Sequence, residues 1–382
     1  MWLPKIPYYR FIVMMVAFFC LMSIFSNYTI MNFAFICMKD DMHGAIPDAN
    51  GGIAYAADFA VIGIICVKWA PLDEVAFFIS LLTVFSPFAT VITTAITGYL
   101  CTSSLGWRAS FYVHSVAGAV CFLLWVIVYS DDPLTHQSVT QKESDNIQKG
   151  KTASHFSKKR DIPYLKMMTN PALICTWFNA FMDLSMSIMI ITYSPIYLNS
   201  VLEYPIDQTA LVISITNFAQ LPFKFTAAYI SDRLTIINPK TKMLIFNTIA
   251  CGIVSLLFGG FGFVSNDQRW IAMVLLAAVN CLMSTSCGGF YQCGRYVSQQ
   301  FADVVIAAIQ FCKCLALFFV PAIVALTVSN EDDRTEWTHS FLIMSALLMV
   351  ANISAYFFFT DQPAEFTKEQ ETSVQLKESI KL

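Results

Sequence analysis

The chain has 382 residues, of which 57% are hydrophobic and 13% charged, where an ordinary soluble domain carries about 25% charged residues. That composition excludes an ordinary soluble globular fold and reads as an all-α integral membrane protein. The net charge of −3 gives no footprint for a nucleic-acid partner, and none is expected.

A bilayer core about 30 Å thick needs about 20 apolar residues per helix, and backbone groups without water partners force such runs to be helical. The first run, 11–38, follows Lys5 and Arg10; its length and the lack of a small-x-small cleavage site read as a retained helix rather than a signal peptide. Runs 52–69, 76–101 and 110–130 complete the first half. The polar stretch "DDPLTHQSVTQKESDNIQKGKTASHFSKKRDIP" (131–163) then reads as a solvated connector, with Lys158, Lys159 and Arg160 in reach of anionic lipid. Six runs follow: 171–195, 207–230, 243–265, 269–292, 303–328 and 338–360. The expected domains are therefore an incomplete bundle of about four helices (1–130), a cytoplasmic linker (131–170), a six-helix bundle (171–360) and a polar cytoplasmic tail (361–382).

Most of the 23 basic residues fall in segments that this parity places on one side, so both termini are expected in the cytoplasm. Trp69, Trp107, Trp270 and Trp337 sit at the ends of runs, where an aromatic belt is expected. The 12 cysteines lie almost wholly inside apolar runs without His or acidic clusters, so they read as small packing residues rather than metal ligands. Cys37 and Cys101 alone lie near expected exoplasmic loops, which argues against a disulfide framework. The sequons at Asn27 and Asn352 fall inside runs and are not expected to be glycosylated.

Ionisable groups at bilayer depth mark candidate sites, because each is costly unless paired or wet. Asp183 shares a helical face with Thr176, Asn179 and Ser187. Lys224 shares one with Thr216 and Gln220, near Pro222, which is expected to kink its helix. Lys313 shares one with Asp303 and Gln310. At 1.5 Å per residue Lys313 lies about 15 Å from the cytoplasmic end of its run, and Lys224 about 9 Å, within snorkelling reach of the headgroups. Asn280 and Ser284 form a further polar face, and Asp58 is the one acid inside a run of the first half. Two readings of these charges compete: a pairing of Asp183 with Lys313 or Lys224 that only holds helices together, and a solute or ion path. His114, in "FYVH", reads as a packed histidine. Catalytic signatures are absent and the five His are scattered, so an enzyme is not expected, nor a resident cofactor or metal.

Several strings together resemble one family. "AYISDR" before a basic loop is similar to the cytoplasmic loop signature of the major facilitator superfamily. "KWAPLDE" (68–74), "GWRASFY" (106–112), "SDDPLTH" (130–136) and "TYSPIYL" (192–198) resemble, in order, motifs of its sodium/anion cotransporter branch, which includes inorganic phosphate, sialate and vesicular glutamate carriers. The family has twelve helices in two bundles of six; this chain shows about ten, as four plus six. The deficit falls at "KDDMHGAIPDANGG" (39–52), where the second and third helices and the first Asp-Arg loop are missing. Ile30 stands about where the family has a basic residue.

The resemblance implies an ion-coupled secondary transporter of small organic or inorganic anions working by alternating access. The implied solute and ion path is Asp183, Lys313, Lys224, Asn179, Ser187, Gln220, Gln310, Asn280 and Asp58, with Na⁺ or H⁺ as the coupling ion. Asp232 and Arg233 would form a cytoplasmic gate, Asp232 meeting a helix N-terminus near Val75. A plasma, vesicular or lysosomal membrane fits equally, and composition says nothing of oligomers. The rival expectation is a non-transporting truncated isoform or a regulatory partner of a full-length carrier.

Overall fold

The computed structural model describes residues 7–38, 68–71, 84–133, 136–148, 162–234 and 236–367, with single positions 65, 78, 81 and 82 between them. Asp58, the segment 39–52 and residue 75 lie outside the described residues, as do the side chains of Asp232 and Asp303. The chain divides into two compact units, Met1–Arg160 and Asp161–Leu382.

The N-terminal unit contains α1 (Tyr9–Met38), α2 (Phe85–Thr102), α3 (Gly106–Val128) and a short α4 (Gln141–Gln148). Helix α1 packs along both α2 and α3. Ser23 and Gly118 meet closely there: a Cβ on Gly118 would stand 2.7 Å from the Ser23 hydroxyl. Gly106 starts α3 at φ +69, a left-handed conformation that only glycine adopts without strain, which explains the first residue of "GWRASFY". Both α1 and α2 end at a disulfide, Cys37–Cys101, with Cα atoms 6.0 Å apart. This corrects the reading of the cysteines: a single covalent tie joins the two that the sequence placed near one side of the membrane.

At the opposite end, two of the quoted strings close on each other. The Lys68 ammonium lies 3.2 Å from Asp131, the Trp69 indole donates to the Ser130 carbonyl at 3.1 Å, and His136 packs tilted against Tyr9 at 4.7 Å and edge-on to Trp69 at 6.1 Å. Lys68 and the Tyr129 hydroxyl hold the Asp131 carboxyl below the usual carboxylate range. Trp69 and Trp337 are fully buried, so they face inward rather than forming the expected belt. Each indole N–H then needs an interior acceptor: the Ser130 carbonyl serves Trp69, and the Glu331 carbonyl serves Trp337 at 2.9 Å.

The linker is not wholly solvated. Helix α4 docks its Glu143 onto Arg10 of α1 at 2.6 Å, with both side chains buried, and Ile147, Val139 and Ser144 are buried with them. Periodicity hid this because a single ion pair and two apolar residues carry the contact. Arg10 also lies over the Phe11 ring, 4.7 Å from its centroid.

The C-terminal unit runs through a short α5 (Tyr164–Met168) into α6 (Pro171–Ser200), α7 (Ile206–Arg233), α8 (Pro239–Phe261), α9 (Trp270–Ser298), α10 (Ala302–Thr327) and α11 (Arg334–Phe358). Helix α6 begins at an Asn170 cap whose side chain accepts from Ala172 and Leu173, with Pro171 at the first helical position. Asp333 caps α11 by accepting from Thr335 at 2.7 Å. Near the Asp333 cap the string "TYSPIYL" buries Tyr197 in a ring cluster with Phe261, Phe341 and Trp337.

Two helices depart from α-geometry at mid-length. In α8, Thr248–Ile253 forms a π-turn; in α9, Ser284–Gly288 is 3₁₀ and a new helical segment starts at Phe290. Among the described residues seven helices are long and apolar enough to cross a membrane. Helices α2 and α7, enriched in Thr and in charge respectively, are of spanning length. The expected run 52–69 falls almost wholly outside the described residues.

Candidate functional site

The irregular turns of α8 and α9 meet buried Asp183 of α6 and half-buried Lys224 of α7. Irregular backbone at membrane depth persists only where protein buries it or where it lines a polar cavity, and broken helices recur at transporter binding sites. Here the breaks are permitted by close approach. A Cβ on Gly289 would stand 3.1 Å from the Cα and N of Asn247, and one on Gly288 would strike the Phe246 ring.

Asp183, one of the charges singled out from sequence, is buried at 7% exposure. Its Oδ1 has no hydrogen-bond partner among the described residues. It lies within electrostatic range of Lys224 on α7, Cys251 in the π-turn of α8 and Tyr291 at the restart of α9. Lys224 is half-buried and also senses Cys287 in the 3₁₀ turn. The two charges interact electrostatically.

One turn below Asp183 lies a second polar cluster, built on asparagines. Asn247 Nδ2 donates to Asn179 Oδ1 at 3.0 Å and to Asn352 Oδ1 at 3.2 Å. Asn179 donates to the Cys175 carbonyl at 2.9 Å. The structure thus places Asn179 in a bond network joining α6, α8 and α11.

The remaining sequence candidates scatter. Lys313 is buried in α10 at 4% exposure, and α10 packs along α6. Ser187, Gln220 and Gln310 are half-buried. Asn280 is buried, its Nδ2 without a partner among the described residues. Arg233 is exposed and lies over the Tyr229 ring at 5.4 Å. Beside it, Lys242 donates to the Ser231 carbonyl at 2.8 Å and closes the charged turn.

Asn247, Cys251, Cys287 and Tyr291 were not singled out from the sequence, and Asn352 was read only as a sequon that is not glycosylated. The Gly288-Gly289 pair in an apolar run was the available signal for the break. The N-terminal unit adds a buried hydroxyl stripe on α2, where Thr93 and Thr97 have Oγ1 atoms without partners among the described residues. His114 is buried, its Nδ1 2.8 Å from the Ser110 carbonyl.

Residues 9–321 match the family model described as Major Facilitator Superfamily. The human protein named Sodium-dependent phosphate transport protein 4 is 22% identical over 390 residues, covering 96% of this chain and 91% of its own length. Sheep Sialin is 22% identical over 324 residues, covering 83% of this chain and 62% of its own length. The chain spans 62% to 66% of the length of several curated relatives. Among solved structures, a D-xylose-proton symporter superposes with a TM-score of 0.57 at 12% identity, covering 92% of this chain and 87% of that one.

Proposed function

The chain belongs to the Major Facilitator Superfamily, and from that premise we propose that it is a secondary active transporter of small organic or inorganic anions, coupled to a cation and working by alternating access. The observation that carries this reading is the electrostatic pairing of buried Asp183 with Lys224 beside two broken helices. With neither ion bound, each charge offsets the other. A cation taken up at Asp183 removes its hold on Lys224, whose ammonium then attracts an anionic solute. Cation and anion thereby raise each other's affinity, and couplings of this kind are typically about 5–150-fold. The names of the relatives, sodium-dependent phosphate transport proteins and sialin, support an anionic solute.

Orientation has two supports. Basic residues cluster with the N-terminus, and the disulfide lies at the opposite ends of α1 and α2, where an oxidising compartment is expected. Both point to a cytoplasmic N-terminus.

The test is uptake of labelled phosphate and sialate by proteoliposomes under a Na⁺ or a pH gradient. Lys224→Ala and Asp183→Asn should each lower gradient-driven accumulation at least about fivefold, in line with the coupling range above. Unchanged accumulation in either variant overturns the reading. The alternative, a regulatory partner of a full-length carrier, predicts no flux from the purified chain alone and altered flux when a full-length relative shares the liposome.

A further inference from the structure

The stretch 136–148 leads out of the N-terminal unit toward the C-terminal one, yet it is tied to the body it leaves. Glu143 sits on Arg10 at 2.6 Å with both side chains buried. His136 packs against Tyr9 at 4.7 Å and Trp69 at 6.1 Å. Those two rings are buried to 1% exposure or less, and the Tyr9 hydroxyl is fixed by donating to the Val128 carbonyl at 3.0 Å.

The His136 ring also closes a turn. The Ser138 N–H donates to its Nδ1 at 3.2 Å, and the Val139 N–H donates to the His136 carbonyl at 3.2 Å. Thr140 follows as the cap of α4, its hydroxyl accepting from the Glu143 N–H at 3.3 Å. A backbone N–H can only donate, so Nδ1 is the acceptor and the ring is neutral with its proton on Nε2. Protonation would set one N–H against another across 3.2 Å and place a cation beside two buried rings.

Among the described residues, the charges on the neighbouring elements are engaged with one another. Lys68 pairs with Asp131 at 3.2 Å, the Tyr129 hydroxyl donates to the same carboxylate at 3.1 Å, and Arg10 holds Glu143. On α4 itself Lys142 and Asp145 are exposed. Burial holds the imidazole below the usual histidine range. The docked linker thus favours the neutral ring, so this contribution to docking is present above about pH 6.5 and is lost as pH falls below it. Helix α4 has 8 residues, and isolated helices shorter than about 12–15 residues are marginal in water, so it persists only while anchored.

We propose that His136 is a pH-sensitive anchor of the linker: acid on the side that holds the N-terminus opens the 136–139 turn, undocks α4 and lengthens the free tether between the two units. Residues 136–148 released in this way add about 45 Å of reach at full extension, at 3.3–3.6 Å per residue.

The test is hydrogen–deuterium exchange of the peptide 136–148 in the purified full chain, at about pH 7.5 and about pH 5.5, either side of the usual histidine value, with rates corrected for intrinsic exchange. The wild type should be protected at the higher pH and lose that protection at the lower one. His136→Asn offers Oδ1 to the Ser138 N–H without titrating, as in an Asx turn, and it retains Glu143. Its protection should not change with pH. His136→Lys carries a fixed cation and should be unprotected at both values. The midpoint of the wild-type loss should coincide with the titration of the His136 ring, read by NMR and assigned by its absence from His136→Asn. The proposal is overturned if wild-type protection is the same at both pH values, if His136→Asn still loses protection in acid, or if His136→Lys stays protected. A midpoint that departs from the His136 titration overturns it as well, even where His136→Asn proves loose throughout.

Discussion

Asn247→Ala removes the hub of the asparagine network. Its Nδ2 makes two interhelical bonds, to α6 at 3.0 Å and to α11 at 3.2 Å. Side-chain bonds between membrane helices average about 0.6 kcal/mol and reach about 1.7, so the pair is worth about 1–3 kcal/mol. The change also leaves the Oδ1 atoms of Asn179 and Asn352 without their shared donor. For a unit of this size that corresponds to a Tm lower by about 2–12 °C, read by thermal unfolding in detergent micelles. Because the cost comes from stranded acceptors, replacing Asn179, Asn247 and Asn352 together with Leu should restore much of the lost stability. A single variant with unchanged Tm, or a triple variant worse than the single one, would refute the reasoning.

Four further outcomes follow from the packing. Glu143→Gln takes the carboxylate away from the buried Arg10 guanidinium, and losing one partner of a buried pair costs about 3–5 kcal/mol; protease cleavage after Lys142 should become fast, and unchanged cleavage would mean that α4 is not held by this pair. Cys37→Ser opens a covalent loop with a sequence separation of 64, for which chain entropy gives about 4 kcal/mol; mass-tagging of Cys101 only in the variant, or after reduction of the wild type, checks the bond. Burial beside Tyr9 and Trp69 pushes the His136 imidazole below the usual histidine range. The unfolded chain therefore takes up that proton first, and the N-terminal unit should lose stability as pH falls below about 6.5; His136→Gln should flatten that slope in a pH series of melts. Gly288→Ala drives a methyl into the Phe246 ring and should cost about 1–3 kcal/mol, whereas Gly260→Ala, with open space around its Cβ, should be nearly silent in the same melts.

Hydropathy made the helices legible because every spanning segment must hide its own backbone. The runs 11–38 and 171–195 reappear as Tyr9–Met38 and Pro171–Ser200, the second starting where the Asn170 cap sets it and running five residues beyond the apolar run. Asp183 was legible for the same reason: a carboxylate in an apolar run stands out. Asn247 did not, since one amide beside a run edge looks like an ordinary boundary residue, and its importance depends on two other asparagines far apart in sequence. The docking of Glu143 was hidden in a stretch whose composition reads as solvent-loving. The strings "KWAPLDE" and "SDDPLTH" were legible as motifs but not as partners, because Lys68 and Asp131 meet only after the helices between them fold.

The most direct test of the charge-exchange mechanism separates gradient-driven accumulation from solute exchange in the same proteoliposomes. With phosphate as probe, Asp183→Asn should lose accumulation yet retain exchange of labelled for unlabelled solute, since Lys224 still binds the anion. Lys224→Ala should lose both. Accumulation that survives Asp183→Asn, or exchange that survives Lys224→Ala, would contradict the account.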